Sequence, residues 1–133
     1  MFEKNPTLKY RRLWLFVGYG LVAYVIYSSL TPSPVHVDVS NFDKYAHTLG
    51  YFVLMGWFMQ LYHVRKNISQ CGVLLILMGV SLEFIQDLTG YRFFDIYDMM
   101  ANTAGVLLAW SLSKTPFPKV LSYFEIKLLS LQK

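Results

Sequence analysis

A run of residues without a single charge, 13–30, is the feature that most constrains how this chain folds. A helix of about 20 apolar residues crosses the hydrocarbon core of a bilayer, and this run approaches that length. Two prolines in the following segment, 31–34, end the helix. We therefore expect a transmembrane helix. A secretory signal peptide is the competing interpretation, but the run exceeds the usual apolar core of ~7–15 residues and no A-x-A-like cleavage site follows it.

Three further apolar runs follow, at 45–62, 71–89 and 96–113. The second is uncharged when His47 is neutral, and the third turns from apolar to polar along its length. With 55% hydrophobic and only 15% charged residues, the chain has too little polar surface for an ordinary soluble domain. The sequence predicts an all-α membrane protein, a compact antiparallel bundle of four transmembrane helices.

The distribution of lysine and arginine predicts the orientation of these spans. Ten of the twelve fall before the first span, between the second and third, or after the fourth, and only Lys44 and Arg92 fall on the other side. Positively charged loops are retained in the cytoplasm. We therefore predict a multi-pass protein with both termini in the cytoplasm. The basic residues lie at the ends of apolar runs rather than on one soluble face, which argues against nucleic-acid binding.

The chain divides into a membrane domain, 1–113, and a cytoplasmic tail, 114–133. The basic segment 63–67 predicts a short cytoplasmic loop between the second and third spans. The tail predicts an amphipathic helix on the inner leaflet, where lysines face anionic lipid. Its apolar stripe consists of Leu121, Phe124, Leu128 and Leu131.

Polar residues in three spans share helix faces near the extracytoplasmic side. Asp43, His47 and Tyr51 follow an i, i+4, i+8 spacing on the second helix. At a rise of ~1.5 Å per residue, polar groups of the third and fourth helices reach a similar depth. A carboxylate inside a membrane costs at least ~2.5 kcal/mol, so it should face a protein-lined cavity. The polar pairs on those two helices are Glu83 with Gln86 and Asp98 with Asn102.

The ordered pattern of these residues resembles the VanZ-like family of bacterial integral membrane proteins. It reads D-K-x-x-H-x-x-x-Y from Asp43, E-x-x-Q from Glu83, and R-x-x-D-x-x-D-x-x-x-N-x-x-G from Arg92. The resemblance covers Asp43 to about Ala109. It implies residence in the bacterial cytoplasmic (inner) membrane and a link to low-level resistance to the glycopeptide teicoplanin, while no biochemical activity is settled for the family.

The residues then suggest roles in an outer-leaflet cavity. Glu83, His47 and Asp98 are the candidate catalytic groups, since a buried Glu83 beside His47 would suit acid–base chemistry on a lipid-linked phosphate or ester. No serine has a base placed beside it. A divalent metal is a further option, with His47, Glu83 and either Asp98 or Asp95 as ligands. The candidate ligand-binding residues are Asp43, Lys44, Tyr51, Gln86, Arg92, Asp95 and Asn102.

Two functions from different classes compete. The first is a cavity that binds, and in one version processes, an anionic cell-envelope lipid or amphiphile. The second is a structural accessory protein whose polar cluster only holds the helices together. A channel is disfavoured, because the inner halves of the spans lack ionisable groups. Small residues every fourth position on the fourth helix, at Ala101, Gly105 and Ala109, fit packing within the chain or, less well, a dimer seam.

Overall fold

The computed structural model describes residues 8–32, 42–62, 64–90 and 93–131, and every regular element in these ranges is a helix. Two short 3-10 turns, Leu112–Lys114 and Phe117–Lys119, connect the fourth α-helix to the fifth. The predicted all-α class is confirmed. The α-helices are α1 (Arg11–Leu30), α2 (Phe42–Leu61), α3 (Arg65–Leu88), α4 (Ile96–Ser111) and α5 (Val120–Ser130).

Local sequence explains where α3 and α4 end and begin. Gly90, in a left-handed conformation with φ of 70°, follows the end of α3. Asp95 caps α4, because its carboxylate accepts a hydrogen bond from the backbone N–H of Tyr97 at 2.8 Å. The loop predicted at 63–67 is shorter than expected, since α3 already begins at Arg65. Arginine and lysine are good helix formers, so a solvated basic turn extends the helix beyond its apolar part.

The closest packing in the bundle joins α2 to α4. Gly105 lies against the backbone of α2, where an added Cβ would collide with the carbonyl oxygen of Thr48 and come within 3.0 Å of the Phe52 nitrogen. Val106 and Ala109 are buried on the same side of α4. The small residues of α4 therefore pack within the chain, as the sequence favoured, and they fix the register of α2 against α4.

At the end formed by the start of α2, the end of α3 and the start of α4, the polarity of the bundle is inverted relative to a water-soluble protein, whereas the rest of its core is hydrophobic. Its buried positions include the polar residues Glu83, Gln86, Asp98 and Asn102, while large apolar side chains such as Phe16 face outward. Such an apolar exterior needs an apolar surrounding. By length and composition, two helices within the described ranges, α1 and α3, are long and apolar enough to cross a membrane.

The other two predicted spans are less apolar or shorter. At ~1.5 Å per residue, the 20 residues of α2 extend about 30 Å and the 16 residues of α4 about 24 Å. The start of α2 carries Asp43, Lys44 and His47, which lowers its hydropathy. Length and composition alone therefore do not identify α2 and α4 as membrane spans.

The fifth helix is docked onto the bundle rather than separate from it. Glu125 is buried, and its carboxylate accepts hydrogen bonds from the backbone N–H groups of Lys9 and Tyr10 at 2.8 and 2.6 Å. Gln60 of α2 accepts from the backbone N–H of Leu121 at 2.8 Å. The polar face of α5 thus points inward. Of the predicted apolar stripe only Leu121 is buried, while Phe124, Leu128 and Leu131 are exposed.

Candidate functional site

A polar cluster forms where the start of α2, the end of α3 and the start of α4 meet. Lys44 is at its edge, and its ammonium nitrogen lies 2.7 Å from a carboxylate oxygen of Asp95 and 2.7 Å from one of Asp98. These ion pairs tie the second helix to the start of the fourth. Lys44, predicted to bind a ligand, is thus already engaged by two carboxylates of its own chain.

The ion pairs shift the pKa values of Lys44 and Asp95, which are both partly exposed. Hydrogen bonds to Asp95 and then to Asp98 raise the pKa of Lys44 well above its ordinary value. The hydrogen bond from Lys44, followed by the one from the Tyr97 N–H, lowers the pKa of Asp95. Both groups are therefore charged across the physiological range.

His47 lies deeper, with its side chain only 9% exposed. Its Nδ1 is 3.0 Å from Oδ1 of Asn102. A carbonyl oxygen only accepts, so in this contact Nδ1 is the donor to Asn102, which orients Nε2 towards the start of α4. Nε2 lies 3.6 Å from a carboxylate oxygen of Asp43 and 3.6 Å from one of Asp98. Both distances are too long for hydrogen bonds.

This arrangement has the composition of a metal-ligand set. One nitrogen and two oxygens from His47, Asp43 and Asp98 all lie within 4.8 Å of one another. Two ligand atoms that each lie ~2.1 Å from one ion at a tetrahedral angle are ~3.4 Å apart, which is close to the separations of 3.6 Å. Asn102 fixes the imidazole orientation as outer partners of metal ligands do.

Glu83 lies beside this set but not in it. Its side chain is buried, and one carboxylate oxygen is 3.4 Å from the backbone nitrogen of Asp95. The metal set expected from the sequence paired His47 with Glu83 and with Asp98 or Asp95. The structure instead brings Asp43 and Asp98 to the imidazole nitrogen, because Asp43 lies one helical turn before His47 and the α2–α4 register places Asp98 opposite.

Gln86 and Tyr51 extend the cluster towards the interior. The Gln86 amide donates a 2.7 Å hydrogen bond to the carbonyl of Ser29, which links α3 to the end of α1. Tyr51 is buried, and its ring lies beside Gly79, where an added Cβ would come within 3.2 Å of both Tyr51 and Asn102. Among the described residues, the Tyr51 hydroxyl has no hydrogen-bond partner. Of the predicted stripe, His47 and Tyr51 therefore face the interior, while the Asp43 side chain is 50% exposed at the start of α2.

Two charged residues, Arg92 and Asp87, need separate comment on their roles. Arg92 lies outside the described residues, so its predicted role stays a prediction. Asp87 was not assigned to the site, and its carboxylate accepts a 3.2 Å hydrogen bond from the Phe94 backbone N–H. Its position one helical turn after Glu83 was the sequence feature that could have placed Asp87 near the site. It supports the turn between α3 and α4 rather than the cluster.

Comparison with known proteins identifies the family. The family model described as VanZ/LLP1 matches residues 7–117. The chain belongs to the VanZ/LLP1 family. This match is longer than the resemblance based on motifs, which begins at Asp43. The added part includes the first helix, whose apolar residues form no polar motif. No solved structure matches.

A eukaryotic protein is among the relatives. Uncharacterized protein C11E3.10 of Schizosaccharomyces pombe is 30% identical over 90 residues, which is 65% of this chain and 52% of the relative. The chain thus spans about half the length of this curated relative. A fungal relative also shows that similar sequences are not confined to bacteria. Family membership and two apolar helices together indicate a membrane protein.

Proposed function

We propose that this protein is a four-span membrane protein, with both termini in the cytoplasm, whose polar cluster binds the phosphate of an anionic envelope lipid through a divalent cation. The inverted polarity of the bundle supports the membrane placement. The ratio of ten lysines and arginines to two supports the orientation. In this placement the polar cluster lies near the outer leaflet, and the bacterial cytoplasmic membrane is the expected location.

One observation carries the proposed ligand chemistry. His47 Nε2 lies 3.6 Å from a carboxylate oxygen of Asp43 and 3.6 Å from one of Asp98, and the three atoms lie within 4.8 Å of one another. One imidazole nitrogen and two carboxylate oxygens at this spacing are a donor set that suits a divalent cation. Asp95 and Glu83 add further negative charge nearby, and Lys44 is the described cation among them. An anionic headgroup would therefore be attracted through a bound metal ion rather than by the side chains directly.

A second candidate function is hydrolysis of the bound phosphate ester. His47, Asp43 and Asp98 would hold a divalent ion that would supply Lewis-acid polarisation of the phosphate, and Glu83 is a buried carboxyl beside the cluster that could take a proton. Water would attack phosphorus while the ester P–O bond breaks. One water proton would pass to Glu83, which would return it to the departing alkoxide to give the alcohol, and the other would stay on the phosphate product. No serine or cysteine needs to act as nucleophile.

The structural alternative has support from part of the cluster. Lys44 bridges Asp95 and Asp98, and Gln86 joins α3 to α1, so these contacts hold helices together whether or not a ligand binds. His47, Asp43 and Asp98 differ because their mutual contacts are not satisfied by hydrogen bonds. The two functions are therefore separable by substitution at different positions.

Native mass spectrometry of the purified protein, with Mn²⁺ and phosphatidic acid in mixed micelles, tests the proposal. We expect Asp98→Asn and His47→Ala to weaken Mn²⁺ binding about 10- to 100-fold. Phosphatidic acid should bind the wild type in a Mn²⁺-dependent manner. Asp87→Asn is the matched control, because it makes the same change at the same end of the bundle outside the cluster, and it should keep both ligands.

The opposite result would favour the structural function. If the folded wild type retains neither Mn²⁺ nor phosphatidic acid, and Asp98→Asn only lowers the unfolding temperature, the cluster serves packing. In cells, the proposal predicts that loss of the protein changes sensitivity to teicoplanin, and that Asp98→Asn fails to restore it whereas Asp87→Asn does.

A further inference from the structure

A second cavity lies at the opposite end of the bundle from the polar cluster. It has a volume of about 490 Å³ and forms between the end of α2, the start of α3, and α5 with the turns that precede it. Tyr62, on its wall, is 18 positions after Lys44 along α2, which corresponds to ~27 Å. The cavity is therefore distinct from the proposed metal site, and in the proposed topology it opens at the cytoplasmic leaflet.

Three basic side chains surround this cavity. Arg65, Lys114 and Lys119 line it and are exposed, and none of the described residues that line it is acidic. Among the described residues none of the three cations forms an ion pair, although the Arg65 guanidinium lies 5.5 Å from the centre of the Trp110 ring. Within the described ranges, positive charge is thus concentrated at the cavity without an acidic lining residue.

The backbone adds to this positive potential. Arg65 is the first residue of α3, whose first turn contains no acidic residue and whose N-cap, Val64, provides no side-chain hydrogen bond. Uncapped N–H groups at a helix start attract anions. Glu125 of the neighbouring α5 does not line the cavity, and its carboxylate accepts hydrogen bonds from the backbone N–H groups of Lys9 and Tyr10.

The walls of the cavity distinguish a lipid from a free ion. Ile126 and Tyr123 line it and are 55% and 63% exposed, so they provide an apolar exit towards the bilayer. Ser113 also lies on the lining, where its hydroxyl could donate to a phosphate oxygen, whereas the Thr115 hydroxyl already donates to the carbonyl of Leu112. A phosphate beside the cations with acyl chains along Ile126 and Tyr123 uses both features.

We infer that this cavity binds the headgroup of an anionic phospholipid of the cytoplasmic leaflet. The site combines lysine point charges, an arginine fork and a helix start around a concave surface, which is the arrangement found at basic lipid pockets on the cytoplasmic side of membrane proteins. The general attraction of basic loops to anionic lipid needs no such geometry. If the lipid binds at this cavity, its affinity depends on the lysines that line the cavity and not only on the total number of lysines.

Two double variants of equal charge separate these cases. Lys114→Gln/Lys119→Gln removes two cavity cations, while Lys66→Gln/Lys127→Gln removes two exposed cations that do not line it. Native mass spectrometry in detergent would compare binding of phosphatidylglycerol with that of phosphatidylcholine. We expect the wild type to prefer phosphatidylglycerol. The cavity variant should lose about 10- to 30-fold in affinity for it, and the control less than about 3-fold.

Two outcomes would overturn the inference. Equal losses in both double variants would show delocalised attraction without a site. A second contrary result has two parts: millimolar inorganic phosphate displaces phosphatidylglycerol, and Ile126→Asn leaves the affinity for phosphatidylglycerol unchanged. Together they would show that the cavity recognises a soluble phosphate instead. Because the probes contain no added divalent cation, neither result depends on the proposed metal site, and Asp98→Asn should leave phosphatidylglycerol binding unchanged.

Discussion

Lys44 determines the charge balance at the edge of the polar cluster. It contacts Asp95, which is partly exposed, and Asp98, whose side chain is 7% exposed, at the same distance of 2.7 Å. Without the ammonium, two carboxylates at the start of α4 would face each other and the Asp43 carboxylate with no described cation between them. A lysine here is therefore a condition for folding the acidic cluster as well as a neighbour of any ligand.

Substitution of Lys44 by methionine should destabilise the protein in a pH-dependent way. We expect a loss of about 2 kcal/mol near neutral pH, less than the ~3–5 kcal/mol of a fully buried pair because the Lys44 side chain is 32% exposed. Since the folded state lowers the pKa of Asp95, its contribution is complete above the unfolded value of ~3.9 and disappears as the pH falls through the lower folded value.

The alkaline side has the opposite sign. The raised pKa of Lys44 makes its contribution complete below the unfolded value of ~10.4, and it is lost only as the pH rises through the higher folded value. Thermal unfolding of wild type and Lys44→Met in detergent should therefore differ by a constant amount from about pH 5 to 9 and converge below pH 4. A difference that persists unchanged at pH 2 would contradict this assignment.

At the scale of helices, the contact between Gly105 and the backbone of Thr48 sets the geometry of the site. Gly105→Ala should destabilise the fold by about 3 kcal/mol or more, because the added methyl meets backbone atoms that cannot rotate away. Gly20→Ala is the control, since nothing lies within 4 Å of its added Cβ, and it should leave the unfolding temperature unchanged or slightly higher. Equal effects of the two substitutions would mean that α2 and α4 pack elsewhere.

Apolar runs predicted the existence of the helices well, but they did not predict the polar first turn of α3. The first run predicted 13–30 and α1 covers Arg11–Leu30, whereas the third predicted 71–89 and α3 covers Arg65–Leu88. Hydropathy identifies the apolar part of a helix. It does not detect a basic first turn that belongs to the same helix. The docking of α5 was also not predicted, since Glu125 reads as a solvated residue until its partners, 116 and 115 positions away, are known.

Spacing along each helix predicted which polar residues share a face but not which ones meet. The stripe of Asp43, His47 and Tyr51 needs only the helical period, and in the structure Asp43 lies beside His47 while Tyr51 is buried further along α2. The choice of Asp43 rather than Glu83 beside the imidazole depends on the register between helices, which the close contact at Gly105 fixes. No local pattern contains that information.

At the scale of the whole molecule, labelling of single cysteines tests the proposed topology. Phe93 is 93% exposed in the segment between α3 and α4, and Lys127 is exposed on α5. In intact cells a membrane-impermeant maleimide should label Phe93→Cys and not Lys127→Cys, which should react only after permeabilisation. The native Cys71 is buried and gives little background, and Cys71→Ser provides the matched parent. Labelling of both positions in intact cells would refute the orientation.

The contact between α5 and the start of α1 is predicted to stabilise the end of the bundle opposite the polar cluster. Glu125→Ala leaves two backbone N–H groups without their carboxylate acceptor, so we expect a loss of about 2 kcal/mol. Hydrogen exchange should accelerate at the first turn of α1 while the centre of α2 stays protected. Lys127→Ala, on the exposed side of the same helix, should change neither. Uniform acceleration across the bundle would argue for a global rather than a local role.

Synthesis of the chain separates the two partners of this contact in time. The Lys9 nitrogen and the Glu125 carboxylate are 116 positions apart, which corresponds to roughly 6–23 s at ~5–20 residues per second on the ribosome. The first helix is therefore synthesised well before its acceptor exists. A prematurely terminated chain would leave the N–H groups of Lys9 and Tyr10 without the Glu125 carboxylate, which distinguishes it from the finished protein to a quality-control protease.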